Sequence, residues 1–277
     1  MKLRMWQVDA FADRVFAGNP AAVVPLPSWL PDTTMQAIAQ ENNVSETAFF
    51  VARSEGNFDL RWFTPAVEVP MCGHATLASA WVIFSELAPQ LDSIRFASKA
   101  AILMVENSPD GCHRMTFPLG RAEPLIGMGE FAAALGKALA APPPDELHLA
   151  PTGAGGTKGT IAVWREGVVR DLQLSPGLEP LLAKSDAGAL LATAKSDNDR
   201  YDFVSRFFAP LHGVPEDPVT GSMHATLAPF WAERLQKREL RAFQASARGG
   251  EVRCVVETDR VVLSGPCKLY LKGEIEI

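Results

Sequence analysis

The sequence has no Cys-x-x-Cys pair and no two histidines at helical spacing, so it offers no frame for a structural metal site. Its four cysteines are Cys72, Cys112, Cys254 and Cys267. The even number suits disulfides. Against that, no secretory apolar segment precedes the strand-like Met1–Asp9, and 47% of the chain is apolar, enough for a sizeable core. Free thiols are therefore expected. No apolar run is long enough to cross a bilayer, since the alanine-rich stretch 131–141 is short and interrupted by Lys137. No lysine and arginine cluster follows a groove-binding pattern, and the net charge is −6, which argues against nucleic acid as a partner. No Gly-x-Ser-x-Gly marks a serine nucleophile, and the glycine-rich run 152–159 lacks the Gly-Lys-Ser/Thr of a phosphate loop and reads as a hairpin tip. A cytoplasmic protein without a membrane partner is expected.

What the chain does have is an alternation of short strands with a few helices, an α+β pattern long enough for two domains. Strands are read at 3–9, 21–24, 48–51, 58–63, 93–97, 101–106, 112–117, 160–164, 168–172, 189–194 and 201–208, with an all-β tail from Phe243. One helix starts at Asp32, taken as its N-cap, with Met35, Ile38 and Ala39 on a common face. Others run from His74 to before Pro89, near 130–140, near 177–183, and from about Met223 to Gln236.

The stretch from Pro70 to Trp81 is a loop that turns into a helix. Gly73 allows a tight turn and leaves room for a ligand, and the free N–H groups of the helix start suit an anion such as a carboxylate. The pattern His-Ala-Thr-Leu-Ala-x-x-Trp occurs twice, at His74–Trp81 and His224–Trp231. Other blocks match in the same order: Val51–Glu55 with Thr193–Asp197, Phe58-Asp59 with Tyr201-Asp202, Arg61–Pro65 with Arg206–Pro210, and Val69-Pro70 with Val214-Pro215. The offset is 145 before the loop and 150 after it, so the second loop is longer; it holds Glu216-Asp217-Pro218-Val219-Thr220-Gly221-Ser222. The repeat implies two pseudo-symmetric domains, residues 1–118 with 265–277, and residues 119–264. If the halves face each other, both helix mouths point into one cleft suited to a small molecule.

Residue types alone leave the chemistry open. Glu46, entering an apolar strand, reads first as a turn residue or a cap, and only second as a working carboxylate. His74 is either a cap or surface residue or a functional group, and its duplicate His224 weakens the functional reading. Asp217 before Pro218 is either a turn starter or a polar site residue. Cys72 is either a small residue packed under a loop or a base or nucleophile, since a helix N-terminus lowers a thiol pKa. Thr220-Gly221-Ser222 also suits a plain N-cap.

Six motifs occur in order: Gly18-Asn19-Pro20-Ala21-Ala22-Val23, Ser45-Glu46-Thr47-Ala48-Phe49, Arg61-Trp62-Phe63-Thr64-Pro65, Cys72-Gly73-His74-Ala75-Thr76, Glu216–Ser222, and Arg248-Gly249-Gly250. Together they resemble the PhzF family of phenazine-biosynthesis isomerases. The resemblance is loose only over about 121–190. It implies a diaminopimelate-epimerase-like fold, with two similar domains that each wrap a barrel-like sheet around a central helix. It implies Glu46 as the acid/base that moves a proton between carbons of a small carboxylated, cyclic substrate, with His74 and Asp217 assisting. It further implies Ser45, Gly73, Ala75, Gly221 and Ser222 as substrate-binding residues, no metal or organic cofactor, and a homodimer. Related epimerases of this fold use a cysteine from each half; here Cys72 lies near the first cysteine position, and the second loop offers Thr220 where the partner would be. The alternatives are therefore a Cys72-dependent epimerase or dehydratase of a small amino or imino acid, and a non-catalytic binder.

Overall fold

The computed structural model describes residues 1–151, 158–185 and 187–277. The hairpin tip expected at 152–159 lies largely outside the described residues. Contacts divide the chain into two units, Met1–Thr116 with Leu263–Ile277, and Phe117–Val262.

The first unit contains β1 (Lys2–Ala10), β2 (Asn19–Leu26), α1 (Asp32–Asn42), β3 (Glu46–Ser54), β4 (Asn57–Phe63), β5 (Glu68–Val69), α2 (Gly73–Val82), β6 (Ser93–Ala97), β7 (Ile102–Glu106) and β8, which starts at Arg114. The last strand of the chain, Cys267–Glu276, returns to pair antiparallel with β1. β2 and β3 are parallel, as are β4 and β6. A parallel pair needs a crossover, and α1 supplies the one between β2 and β3. Its Met35, Ile38 and Ala39 are buried against Val24, Phe49 and Phe63, as their spacing predicts. Asp32 is not the cap. Pro31 holds that position, and the Asp32 carboxylate accepts a 2.8 Å bond from Arg61 Nη1 instead.

α2 is buried at every residue but Trp81. A helix apolar all round must be enclosed, and α2 lies against β1, β2, β3 and the last strand. Each fully buried side chain of Leu77 size contributes about 1.5–3 kcal/mol. The helix ends earlier than expected, because the stretch Ile83–Leu87 widens into a π-helical turn before Pro89.

The second unit repeats the plan. It holds β9 (Glu123–Pro124), α3 (Gly129–Ala138), β10 (Glu146–Pro151), β11 (Lys158–Val163), α4 (Glu166–Asp171), α5 (Leu178–Ala183), β12 (Ala189–Lys195) and β13 (Phe203–Ala209). β14 (Val214–Asp217), α6 (Gly221–Leu235), β15 (Glu239–Gln244), β16 (Gly250–Val256) and β17 (Arg260–Ser264) follow. β11 and β12 are parallel, as are β13 and β15, matching the two parallel pairs of the first unit. α6 is the enclosed helix here; its Trp231 Nε1 donates to Thr193 Oγ1 at 2.9 Å.

The strand expected at 168–172 is wrong: these residues belong to the helix α4 and its end. Val168 and Val169 favour a strand, but tertiary contacts override that preference. Val169 enters the core beside Leu135, Leu178 and Val204. The Arg206 guanidinium donates to the Leu172 carbonyl at 2.6 Å and to those of Val169 and Arg170 at 3.4 Å, which satisfies the helix end.

Among the described residues, no helix is long and apolar enough to cross a membrane. All four cysteines are buried thiols outside any disulfide, as expected.

Candidate active site

Parallel pairing decides where the first set of polar groups meets. β2 and β3 run the same way, so their first residues lie at one end of the ladder, with Ala21 opposite Glu46. Asn19 opens β2 and Glu46 opens β3. The first turn of α2 comes to the same place. His74 Nε2 lies 2.9 Å from Glu46 Oε2. On the other side of the ring, Nδ1 lies 3.1 Å from Asn19 Nδ2 and 3.4 Å from Cys72 Sγ. In the neutral ring, with the asparagine amide donating, the proton sits on Nε2 and faces the carboxylate; in the charged ring an Nε2–H faces it as well.

Local structure holds each of these groups. Gly18 has φ 65°, and a Cβ there would fall 2.1 Å from the Ala10 carbonyl oxygen, so only glycine brings β2 in at this angle. Asn42 Nδ2 donates to Thr47 Oγ1 at 3.1 Å and ties the end of α1 to the start of β3, on either side of Ser45 and Glu46. Cys72 is the extended N-cap of α2, and its carbonyl accepts from Thr76 Oγ1 at 2.6 Å. Gly73, His74 and Ala75 form the buried first turn, while Ser45 and Glu46 are half-buried.

Burial and electrostatics decide between the readings left open for two residues. His74 is neither a cap nor a surface residue; it is 4% exposed. Burial opposes its charged form, but the acidic neighbours Cys72 and Glu46 outweigh that and hold its pKa well above the usual histidine value. The thiol of Cys72 is not lowered by the helix start. Burial, helped by the Glu46 charge, pushes it up to about 11, so it is neutral at pH 7. The negative charge that acts on His74 near neutrality is therefore that of Glu46. The His74 approach is an ion-pair distance, but no donor meets Glu46 Oε2 in hydrogen-bond alignment among the described residues.

A second set forms within the other unit. Asp217 ends β14, and the Thr220 hydroxyl donates to its Oδ2. Gln244 Nε2 donates to the Asp217 carbonyl at 2.7 Å, while Gln244 Oε1 accepts from the Thr220 N–H at 2.8 Å. Thr220, not Ser222, is the N-cap of α6; Gly221 is buried and Ser222 half-buried in the first turn. His224 Nδ1 donates to the Thr220 carbonyl at 2.8 Å, its Nε2 has no partner, and burial depresses its pKa to about 4. The expected site residues thus form two sets: Ser45, Glu46, Gly73, His74 and Ala75, and Asp217, Gly221 and Ser222.

Sequence reasoning missed two members. Asn19 had a signal, a polar residue leading an apolar strand, but reads as part of a turn. Gln244 had none, since its partners come from a distant loop. In each unit an arginine also forks onto the glutamate of the short strand before the helix mouth. Arg61 meets Glu68 at 2.7 and 2.8 Å, and Arg206 meets Glu216 at 2.7 and 2.9 Å.

The family described as phenazine biosynthesis-like protein, PhzC-PhzF, matches residues 8–274. An uncharacterized isomerase of Pseudomonas aeruginosa is 45% identical, with the whole of both chains covered. The crystal structure of a PhzF-family phenazine biosynthesis protein from Enterococcus faecalis superposes with a TM-score of 0.86 at 38% identity, again over both whole chains. A probable proline racemase of Agrobacterium radiobacter, covered to 92%, shares only the fold, with a TM-score of 0.65 at 8% identity over 99% of this chain. With the matching motifs and the doubled α+β plan, these likenesses show that the chain belongs to the PhzC-PhzF, phenazine biosynthesis-like family.

Proposed function

We propose that this protein is an isomerase that moves a proton between carbons of a small carboxylated, cyclic substrate, with Glu46 as the shuttle and no cofactor. The observation that carries this reading is the half-buried Glu46 carboxylate, anchored by its buried Oε2 2.9 Å from Nε2 of buried His74. A carboxylate held in that way can take a proton from carbon and return it elsewhere. His74 keeps the carboxylate in place and offers the Nε2 proton as charge shifts. The N–H groups of Gly73 and Ala75 at the start of α2 favour the substrate's carboxylate. In the second unit, Asp217 is assigned an assisting hydrogen bond, and Gly221 and Ser222 contact substrate. The relative named an isomerase, at 45% identity, supports the reaction class.

The thiol alternative is the weaker one, since burial that pushes the Cys72 pKa up to about 11 leaves little thiolate at pH 7 and the second loop, 210–224, offers no second cysteine. The test is exchange of substrate carbon-bound hydrogen with deuterated water, over a panel of cyclic carboxylates. The wild type is expected to exchange and Glu46→Gln to lose exchange. Full exchange in Glu46→Gln would refute the shuttle, and loss in Cys72→Ala alone would favour the thiol.

A further inference from the structure

The last strand of the chain, β18 (Cys267–Glu276), is the longest, and β1 is the only strand laid along it among the described residues. Its other edge is open. An open edge presents unpaired N–H and C=O groups and is ordinarily kept short or guarded. Which groups this edge presents follows from the pairing with β1. The Ile277 N–H donates to the Met1 carbonyl at 2.9 Å, and the Met1 amine donates back to the Ile277 carbonyl, so that pair exchanges both bonds. Bonded and non-bonded pairs alternate along an antiparallel ladder, and the register is regular from Glu276 opposite Lys2 to Leu271 opposite Gln7. The odd-numbered residues of 271–277 therefore direct their backbone groups to β1. Lys272, Glu274 and Glu276 direct theirs outwards. Every residue from Tyr270 to Glu274 is exposed. Apolar side chains stand along the edge: Phe16, 67% exposed, meets Tyr270, 49% exposed, ring to ring at 5.6 Å, and Leu271 and Ile277 are exposed as well.

We propose that β18 is the interface with a second copy of this chain, paired antiparallel to itself about Gly273. Charge selects both the occupant and the register. Within 271–277, a two-fold centred on Lys272 or on Glu274 sets that residue against its own like charge, and one centred on Ile275 sets Glu274 against Glu276. Centred on Gly273, Lys272 of each copy faces Glu274 of the other, and each of these pairs exchanges both backbone bonds. Gly273 then sits at the two-fold, in the non-bonded pair that brings the backbones closest. Within one copy Glu274 lies opposite Arg4, and Lys272 pairs with Glu86. A row of alternating sign thus crosses the interface: Arg4 and Glu274 of one copy, then Lys272 and Glu86 of the other. On the opposite face Leu271 of each copy meets Ile275 of the other, and Ile277 comes beside the second copy's Tyr270. An edge guarded against a second copy carries one sign of charge; this one is complementary to itself. The homodimer implied by the family resemblance thereby gains a face, on grounds independent of that resemblance and of the proton shuttle.

The experiment is sedimentation equilibrium of the full chain. The wild type is expected to be a dimer. Lys272→Glu and Glu274→Lys each turn two attractive pairs into two repulsive ones and should weaken the dimer at least about tenfold. Mixed one to one, the two variants should restore it, because each then meets the opposite charge on the other. Misfolding of either variant would not produce that rescue. A monomeric wild type would overturn the proposal, as would single variants that dimerise like the wild type. A mixture no tighter than the single variants would overturn the register. Amide hydrogen exchange gives a reading that needs no variant. The Lys272 and Glu274 N–H groups should be protected in the dimer and lose protection on dilution. Fast exchange of both in a wild-type dimer would put its interface elsewhere and overturn the proposal.

Discussion

The two enclosed helices, α2 and α6, begin with the same motif and use its histidine in opposite ways. His74 has a pKa well above the usual value; His224 is depressed to about 4. His74 receives a bond at Nδ1 and points Nε2 at a carboxylate. His224 donates from Nδ1 to its own N-cap carbonyl and leaves Nε2 bare. The difference lies outside the motif. In the first unit the parallel ladder sets Glu46 opposite Ala21; the matching strand of the second unit begins at Ala189, opposite Gly159, with Gly188 before it. The second copy has no acid at that place, so burial alone decides its histidine. Duplication kept the helix and its packing twice; the absent carboxylate, and the place of His224 two positions deeper in its helix, separate a buried structural imidazole from a paired one.

The largest expected effect comes from removing that residue. Glu46→Gln is expected to lower turnover about 10²–10⁴-fold, the range for a lost general base. Its sharper test is the histidine itself. Without the carboxylate, burial dominates at His74, and its NMR titration should fall towards that of His224, which should not move. A His74 titration unchanged in Glu46→Gln would break the comparison.

Next come the arginine forks that both units share. Arg206 also donates to three backbone carbonyls at the end of α4, whereas Arg61 turns to exposed Asp32. Breaking a buried ion pair from one side costs about 3–5 kcal/mol. Arg206→Ala should fall in that range in a urea denaturation, and Arg61→Ala below it. Equal losses would show that the extra carbonyl bonds add nothing.

The repeat was legible in the sequence because its blocks recur in the same order, and most strands and helices because of their apolar periodicity. The sheet around a central helix was implied by the family resemblance. What was not legible depends on contacts between distant residues. Residue types alone read Glu46 first as a turn residue or cap, and only the family resemblance made it the acid/base; its place beside His74 depends on the pairing of β2 and β3. For Cys72 a thiol lowered by its helix mouth and a small packed residue were both open; desolvation outweighs the dipole there. Val168 and Val169 read as strand because propensity is local, while the Arg206 bonds that hold α4 come from β13. Gln244 carries no local mark of its two bonds to the Asp217 loop.

A smaller effect should appear in acid. The folded pKa of His224 is about 4 against about 6.5 unfolded, so the unfolded chain takes the proton first. The His224 contribution is present above pH 6.5 and is lost as pH falls through the window to 4, by about 3 kcal/mol in all. His74 has the opposite sign: its contribution is present below pH 6.5 and is lost as pH rises through its raised folded value. Urea midpoints from pH 7 to 4 should fall less steeply in His224→Gln than in the wild type; identical slopes would refute the assignment.

The smallest effect tests what sets the tautomer. The bond from Asn19 keeps the neutral His74 proton on Nε2, whereas His224, bonded through Nδ1–H, carries its proton on Nδ1. Above the raised pKa of His74, where its ring is neutral, nitrogen-15 NMR of the two rings should therefore show opposite tautomers in one chain. Asn19→Ala leaves a buried Nδ1 without its donor, at a cost of about 1–3 kcal/mol. Freed of that bond, the neutral ring, present above the raised pKa of His74, can place its proton on either nitrogen, and the fraction with Nε2–H facing Glu46 drops at such a pH. The expected result is a loss in kcat of about tenfold with KM little changed, since the substrate's own contacts are untouched. The His224 signal should stay as it was. If Asn19→Ala keeps both the tautomer and kcat, then Glu46 alone orients His74, and the asymmetry between the two helices reduces to one carboxylate.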